Sequence, residues 1–299
     1  MIPSIKKVLV TGGAGFIGSN LVDALILRGY QVICVDNESA VSNEKFYWNP
    51  LAENHKVSIL DADTGDLFRD VHCVFHMAAE SRIQTAIADP RYAYTNNIIG
   101  TYNVVEWCKK HKVSKLVYSS TSSVYGNNIL SSDTHKVDCL NPYSVSKYAG
   151  EQIVSTHAKM GDFQSCIFRY FNVYGERSPT KGSYAPVVGI FLNQYKNDRP
   201  LTIVGSGFNT RDFVHVSDIV EANILAMNTF TGMSIGPLNI GTGKSYSIKA
   251  IANMICKNHI YIPARIGEAA STWADIYLAN SILGYTPRVD IETWIQSQL

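Results

Sequence analysis

Charge is scarce in this chain. Asp, Glu, Lys and Arg make up 17% of its 299 residues and nearly cancel, leaving a formal net charge of +1. No run of Lys and Arg supplies the basic footprint that nucleic acids and anionic membranes require, so neither is expected as a partner. Long apolar runs are missing too, and none approaches the ~20 residues of a membrane span. The stretch from Met1 to Gly13 lacks the extended apolar segment of a signal peptide and enters a strand directly. A cytoplasmic protein is the expectation. The six cysteines (Cys34, Cys73, Cys108, Cys139, Cys166, Cys256) are scattered, with no C-x-x-C pair. Four fall in apolar runs, where a reduced thiol acts as a small hydrophobe. The eight histidines include no H-E-x-x-H spacing, so no metal is expected.

What is present is a strong alternation. Short β-branched runs at Lys7–Val10, Gln31–Val35, Val57–Leu60, Cys73–His76, Lys115–Ser119 and Ser165–Arg169 read as strands. Between them, Phe16–Arg28, Pro90–Lys110 and Tyr143–Lys159 read as helices. Strand–helix–strand repetition implies parallel strands with crossover helices, hence a Rossmann-type doubly wound α/β sheet. After Asn172 the rhythm changes. Gly175–Gly182 is a loop, Tyr184–Tyr195 helical, Leu201–Val204 a strand, Asp218–Met227 and Ile248–Lys257 helices. We expect residues 1–172 to form a dinucleotide-binding domain and 173–299 mainly a smaller substrate domain. The strand Leu238–Ile240 is expected to return to the main sheet.

Gly12, Gly15 and Gly18 stand between the first strand and the first helix. The first permits a tight turn, the second lets a pyrophosphate approach the backbone, and the third allows close helix–strand packing. The helix N-terminus then offers free N–H groups to phosphates. A glycine trio alone also suits a purely structural turn, but Asp36 closes the second strand. A carboxylate there accepts hydrogen bonds from ribose hydroxyls and repels a 2′-phosphate, favouring NAD over NADP. Phe16, Ile17 and Asn37 accompany these groups, and Asp61 and Ala62, at the next strand end, are placed to meet the adenine edge.

Two further segments carry chemistry. Residues 118–126 close a strand with a Ser/Thr-rich end, and residues 141–148 open a helix. Tyr143 and Lys147 are four apart, so their side chains share one helix face. An ammonium beside a phenol lowers its pKa from about 10, and the positive charge of an oxidised nicotinamide pushes the same way. Such a tyrosine removes a hydroxyl proton near neutral pH while hydride leaves the same carbon. Thr121, at the strand end, is placed to hydrogen-bond the reacting oxygen. Y-x-x-x-K by itself is common as a surface pair; joined to the glycine motif and the Ser/Thr strand end, it is specific.

Taken in order, these motifs resemble the extended short-chain dehydrogenase/reductases acting on nucleotide sugars, and look most like UDP-hexose 4-epimerases. The resemblance covers nearly the whole chain: residues 11–18, 76–80, 96–101, 119–126, 143–147, 168–175, 211–218, 239–243 and 265–268. It implies that Thr121, Tyr143 and Lys147 are the catalytic triad, with Lys147 also holding nicotinamide ribose hydroxyls. Met77, Ala78, Ala79, Asn97, Ser119 and Tyr170 match segments lining NAD. Asn172, Arg211 and Arg265 match groups gripping the substrate diphosphate, and Glu268 the acid on the nucleotide ribose. Guanidiniums fork onto phosphate oxygens and a carboxylate suits a vicinal diol, although surface salt bridging is the alternative for these three charged residues. Ser81, Tyr184, Ala185, Thr202, Val204 and Thr272 complete the expected sugar-nucleotide pocket.

Related 4,6-dehydratases place an Asp–Glu pair directly after the triad threonine, and UDP-glucuronate decarboxylases a Glu at the second of those positions. Here the positions are Ser122 and Ser123. Without an extra acid, the resemblance implies epimerisation: a transient 4-keto sugar turns over and is reduced on its other face. Glu80 is the one dehydratase-like feature. Thr272 stands where a bulky aromatic narrows the hexose site of epimerases restricted to non-acetylated sugars, so UDP-GlcNAc and UDP-GalNAc are expected to enter beside UDP-Glc and UDP-Gal. A non-catalytic NAD-binding regulator is the alternative of another class, and the intact triad argues against it. The helices Pro90–Lys110 and Tyr143–Lys159 build dimer interfaces in this family; with Tyr92, Ile99 and Trp107 at spacings of one face, a homodimer is expected.

Overall fold

The computed structural model describes residues 6–40, 43, 45–128, 130–131, 136–180, 185–229 and 234–299. At its centre lies a seven-stranded sheet. Read across, its strands are Ile235–Ile240, Gln164–Tyr170, Lys115–Thr121, Cys73–His76, Lys7–Thr11, Gln31–Asp36 and Glu53–Lys56, with every neighbouring pair parallel. The chain starts in the middle, winds outward one way, then returns and winds the other. The reversal beside Lys7–Thr11 opens a crevice at the strands' carboxyl ends, where such sheets bind ligands.

Both faces of the sheet are covered, which explains why the strands read as continuous apolar runs. Val8 and Val10 enter one core while Leu9 enters the other; Val32 and Cys34 alternate likewise with Ile33 and Val35. Helix Phe16–Leu27 supplies Leu21, Val22 and Leu25 to the first core. Helices Gly100–Lys110 and Pro142–Lys159 supply Val104, Val105, Cys108 and Val154 to the second. All six cysteines are free, and Cys34, Cys73, Cys108 and Cys166 are buried.

The strand expected at Val57–Leu60 lies four residues earlier, at Glu53–Lys56, paired with Ile33–Asp36. This is the sheet edge, half in water, so the pairing segment is polar. The apolar run that follows has left the ladder, and Ile59 turns into the second core. The expected long helix Pro90–Lys110 is interrupted by a π-helical turn at Thr95–Ile99. Helix Val187–Lys196 begins after Pro186, later than the sequence reading placed it. The strand ending at Ile240 does return to the main sheet, beginning at Ile235 and pairing with Gln164–Tyr170.

Helices Val216–Thr229 and Tyr277–Leu283 pack into the first core, and most of the other elements form a smaller layer over the carboxyl ends. Asn172–Tyr174, Thr210–His215 and Ser245–Ser247 make a three-stranded sheet, and Leu201–Val204 pairs with His259–Ile262. A third core beneath them includes Phe191, Leu201, Ile203, Phe213, Ile251 and Ile295. Of these strands, sequence reading had found only Leu201–Val204, and it had not found the helices Tyr277–Leu283 and Ile291–Gln298. Among the described residues no helix is long and apolar enough to cross a membrane.

Candidate active site

The glycine loop is built by close approach. Gly12 has φ +69°, and a Cβ there would lie 2.8 Å from the Ala78 backbone nitrogen. A Cβ on Gly18 would fall 2.1 Å from the Gly12 carbonyl oxygen. Gly15 is different: the nearest protein atom to its added Cβ is 3.4 Å away, and the residue lines a deep cavity. Gly15 is also the N-cap of helix Phe16–Leu27 and gives it no side-chain cap. The first-turn N–H groups are therefore available to an anion.

Asp36 reaches this loop from the second strand. Its Oδ2 accepts from the Ala14 N–H at 3.1 Å and its Oδ1 from the Glu38 N–H at 2.8 Å. Burial raises its pKa, and these two donors oppose the rise. The cavity wall continues through Phe16, Ile17, Gly18, Asn37, Met77, Ala78, Ala79, Ser119, Tyr143, Lys147 and Tyr170. Ser119 donates to the Tyr170 hydroxyl at 3.2 Å, and Asn223 donates to that same hydroxyl at 2.7 Å. The backbone of Met77 and Ala78 is fixed by the Thr11 hydroxyl, which accepts from both N–H groups at 3.2 Å.

Three expected cofactor residues stand elsewhere. Asp61 and Ala62 are exposed, and Asp61 accepts from the Ser58 N–H of its own turn at 3.0 Å. Val57 and Ile59 line the cavity on that side instead. Asn97 is buried behind the wall, where its amide accepts from Glu80 N–H at 2.8 Å and donates to Glu80 C=O and the Ser146 hydroxyl. Its neighbour Asn96 lines the cavity. Both sit in the π turn, whose extra residue rotates side chains by roughly 100° relative to an α-helix.

Strand Lys115–Thr121 puts Ser119 and Ser120 in the cavity wall, and Thr121 follows them, its hydroxyl accepting from Ser123 N–H at 3.1 Å. Opposite, a capping box starts helix Pro142–Lys159: Asn141 accepts from Ser144 N–H, and the Ser144 hydroxyl from Asn141 N–H. This rigid start places Tyr143 in the first turn, with its phenol close to the Thr121 hydroxyl. Burial pushes the phenol up to about 12, the Thr121 hydroxyl opposes the rise, and nearby Glu80 adds to it. The lowering of the phenol expected from Lys147 together with an oxidised nicotinamide is not seen in the cofactor-free chain, where burial dominates. Lys147 is itself 2% exposed, and burial pushes its ammonium down to about 7 against the pull of Glu151. The ammonium rests over the Tyr118 ring, 4.3 Å from the centroid. Behind it His76, pushed down to about 3 by burial and by Lys147, is neutral and hydrogen-bonded to Thr11 and Thr101.

A second cavity adjoins the first, and Ser81, Arg82 and Pro186 line both. Around it stand Asn172, Ala185, Thr202, Val204, Arg211, Arg265, Glu268 and Thr272. Tyr184 lies outside the described residues. Glu268 sits between two guanidiniums, 3.8 Å from Arg211 and 3.7 Å from Arg265. Arg211 also donates to the carbonyls of Thr210, Ala269 and Ala270. Ser122 and Ser123 line this cavity with no carboxylate at either position.

Comparison with known proteins agrees with this geometry. The model of the "NAD dependent epimerase/dehydratase family" matches residues 8–241. The chain belongs to that family. It is 32% identical to the UDP-glucose 4-epimerase of Mycolicibacterium smegmatis, over 95% of this chain and 94% of the relative. Among solved structures it is similar to UDP-glucose 4-epimerase from Thermotoga maritima, solved with UDP-glucose (TM-score 0.89, 33% identity, 97% and 96% of the chains). It is also similar to UDP-glucuronic acid 4-epimerase from Bacillus cereus in complex with UDP-glucuronic acid and NAD (TM-score 0.87, 31% identity, 98% and 97%).

Within this epimerase/dehydratase family, the arrangement fits a dinucleotide on one side and an anionic nucleotide on the other. Uncapped helix N–H groups, the open Gly15 position and the Asp36 carboxylate suit pyrophosphate and ribose. The arginines around the second cavity suit a diphosphate. Sequence reading missed Arg82, which stands where the cavities meet; two residues past a modest Ala-Ala-Glu motif, it carries no spacing signal of its own.

Proposed function

We propose that this protein is an NAD-dependent UDP-hexose 4-epimerase. One observation carries the reading: Tyr143 and its neighbour Thr121 stand where a cavity built on the glycine loop meets a cavity lined by Arg211 and Arg265. A sugar held by its diphosphate at the arginines reaches that pair with its far end. NAD, when bound, supplies reversible two-electron oxidation at the sugar C4.

The chain's residues supply the rest. Tyr143 takes the C4 hydroxyl proton and returns it to the same oxygen after the sugar has turned. Thr121 donates to that oxygen while charge develops on it. Lys147 holds the cofactor ribose and adds positive charge beside the phenol. Because the phenol of the cofactor-free chain is pushed up to about 12, chiefly by burial, proton removal near neutral pH requires the cationic, loaded site. Ser122 and Ser123 supply no acid or base for dehydration or decarboxylation, which leaves inversion as the outcome. Thr272 is small enough to admit an N-acetyl group, so UDP-GlcNAc and UDP-GalNAc belong to the proposed range.

The test is incubation of the holo-protein with UDP-glucose, UDP-galactose and their N-acetylated forms, followed by proton NMR. Equilibration of C4 epimers is expected; accumulation of a 4-keto or pentose product, or no turnover, overturns the reading. Activity on UDP-galactose with none on UDP-GalNAc removes the N-acetyl part alone.

A homodimer is part of the proposal, with a changed face. Trp107 packs on Phe68 of its own core, ring centroids 5.3 Å apart, and does not belong to an outer stripe. Tyr94, Ile99, Tyr102 and Val145 are the exposed apolar groups on these two packed helices.

A further inference from the structure

We propose that Glu151, which lines neither ligand cavity, is a positioning residue that keeps Lys147 charged, and that Ser120 and Arg169 hold it for that purpose. Tyr143, Lys147 and Glu151 follow one another at intervals of four on helix Pro142–Lys159, so they stack along one face. Glu151 is 2% exposed. Its Oε1 accepts from the Ser120 hydroxyl at 2.5 Å and from Arg169 Nε at 2.9 Å, while Oε2 accepts from Arg169 Nη2 at 2.6 Å. A carboxylate with a bidentate guanidinium and a hydroxyl donor is fixed in place.

Lys147 needs such a neighbour. Its ammonium is buried beside the neutral His76 and the protonated phenol of Tyr143 and over the Tyr118 ring, which gives a cation–π attraction but no countercharge. Among the described residues, the carboxylate that supports it electrostatically is Glu151, one helical turn away on the same helix face. The groups facing Glu151 are Arg169, Lys147, Tyr118, Cys139, and Lys136 and Tyr148 across a small cavity on its far side. Burial drives Lys147 toward neutrality and Glu151 resists. Removing that negative charge leaves two buried cations, Arg169 and Lys147, facing each other's field, and only the lysine can respond by losing a proton.

This inference rests on the reading of Lys147 as the cation of the active site, and the test separates the two. Lys147 in the full-length protein without added cofactor is labelled with acetic anhydride across pH 5 to 9, with mass-spectrometric readout, and circular dichroism checks folding at each pH. Wild type is expected to titrate near 7. Glu151→Gln keeps the shape and is expected to lower the midpoint by about one pH unit, a tenfold shift in proton affinity. In the turnover profile, the ammonium is lost as pH rises through its pKa, so the alkaline fall moves to lower pH by a similar amount. Ser120→Ala, which loosens Glu151 without unpairing Arg169, shifts the midpoint in the same direction by less. A midpoint unmoved in Glu151→Gln overturns the proposal, whatever the loss of stability; should that variant not fold, an unmoved midpoint in Ser120→Ala does so. Full turnover in Lys147→Met overturns instead the underlying reading of the site.

Discussion

Gly18 and Gly12 approach so closely that a methyl on the former would lie 2.1 Å from the latter's carbonyl oxygen, whereas a methyl on Gly15 meets protein only at 3.4 Å. The two glycines therefore fail differently when replaced. Gly18→Ala forces backbone apart inside the fold and is expected to cost about 1–3 kcal/mol of stability. Gly15→Ala leaves stability within ~0.5 kcal/mol of wild type but occupies the space a pyrophosphate would take. Its NAD affinity is expected to fall at least tenfold, or ~1.4 kcal/mol. Denaturation and NAD titration of the two variants check the pair. Equal affinity in Gly15→Ala would remove that residue from the cofactor cradle.

Tyr143→Phe removes the proton carrier while keeping the ring that lines the cavity. Turnover is expected to drop by ~10²–10⁴-fold with NAD content unchanged. The pH dependence follows from the direction of the shift. Burial raises the phenol to about 12, so without cofactor its proton is held throughout the physiological range. In the loaded enzyme the phenolate form is lost as pH falls through a lowered pKa, and kcat declines toward acid with a slope near one. A kcat profile flat from pH 6 to 9 would contradict a titrating phenol.

Much of this was legible in the chain because it is local. The glycine spacing, the alternation of apolar runs and the four-residue interval from Tyr143 to Lys147 are short-range signals with one physical meaning each. What escaped depends on partners distant in sequence. The acidity of Tyr143 is set chiefly by burial, with Thr121 opposing the rise and Glu80 adding to it, and neither the burial nor Glu80 is revealed by spacing. Asn97 and Asn96 are adjacent letters, and only the π turn decides which one faces the cavity. The edge strand at Glu53–Lys56 is polar because water covers it, so the apolar run beside it drew the assignment four residues too far along. Residues 211–218 stand out as a motif carrying Arg211, but the strand Thr210–His215 depends on pairing with Asn172–Tyr174 and Ser245–Ser247.

Arg211 lines the second cavity and at the same time holds a loop. Its guanidinium already binds the Ala269 and Ala270 carbonyls and lies 3.8 Å from Glu268. Arg211→Ala is expected to weaken UDP binding by ~1.5–3 kcal/mol, about tenfold or more in Kd. Arg211→Lys keeps the charge but loses the fork, and is expected to recover only part of that loss. Isothermal titration with UDP, at low and at high salt, measures both. If alanine leaves UDP affinity intact, Arg211 is a loop anchor and the diphosphate sits elsewhere.

The exposed apolar groups on the paired helices carry the last prediction. Ile99 is 52% exposed, Tyr102 47% and Val145 42%, on helices that pack side by side. Monomeric surfaces rarely leave a large contiguous apolar patch in water, and a second copy of the same helices offers a self-complementary cover. Tyr102→Glu combined with Val145→Glu places buried like charges across such an interface while leaving each chain's own core untouched. Sedimentation equilibrium is expected to give a dimer for wild type and a monomer for the double variant, with the fold retained by circular dichroism. A wild-type monomer at micromolar concentration, or a dimer indifferent to both glutamates, would assign that face to something other than self-association.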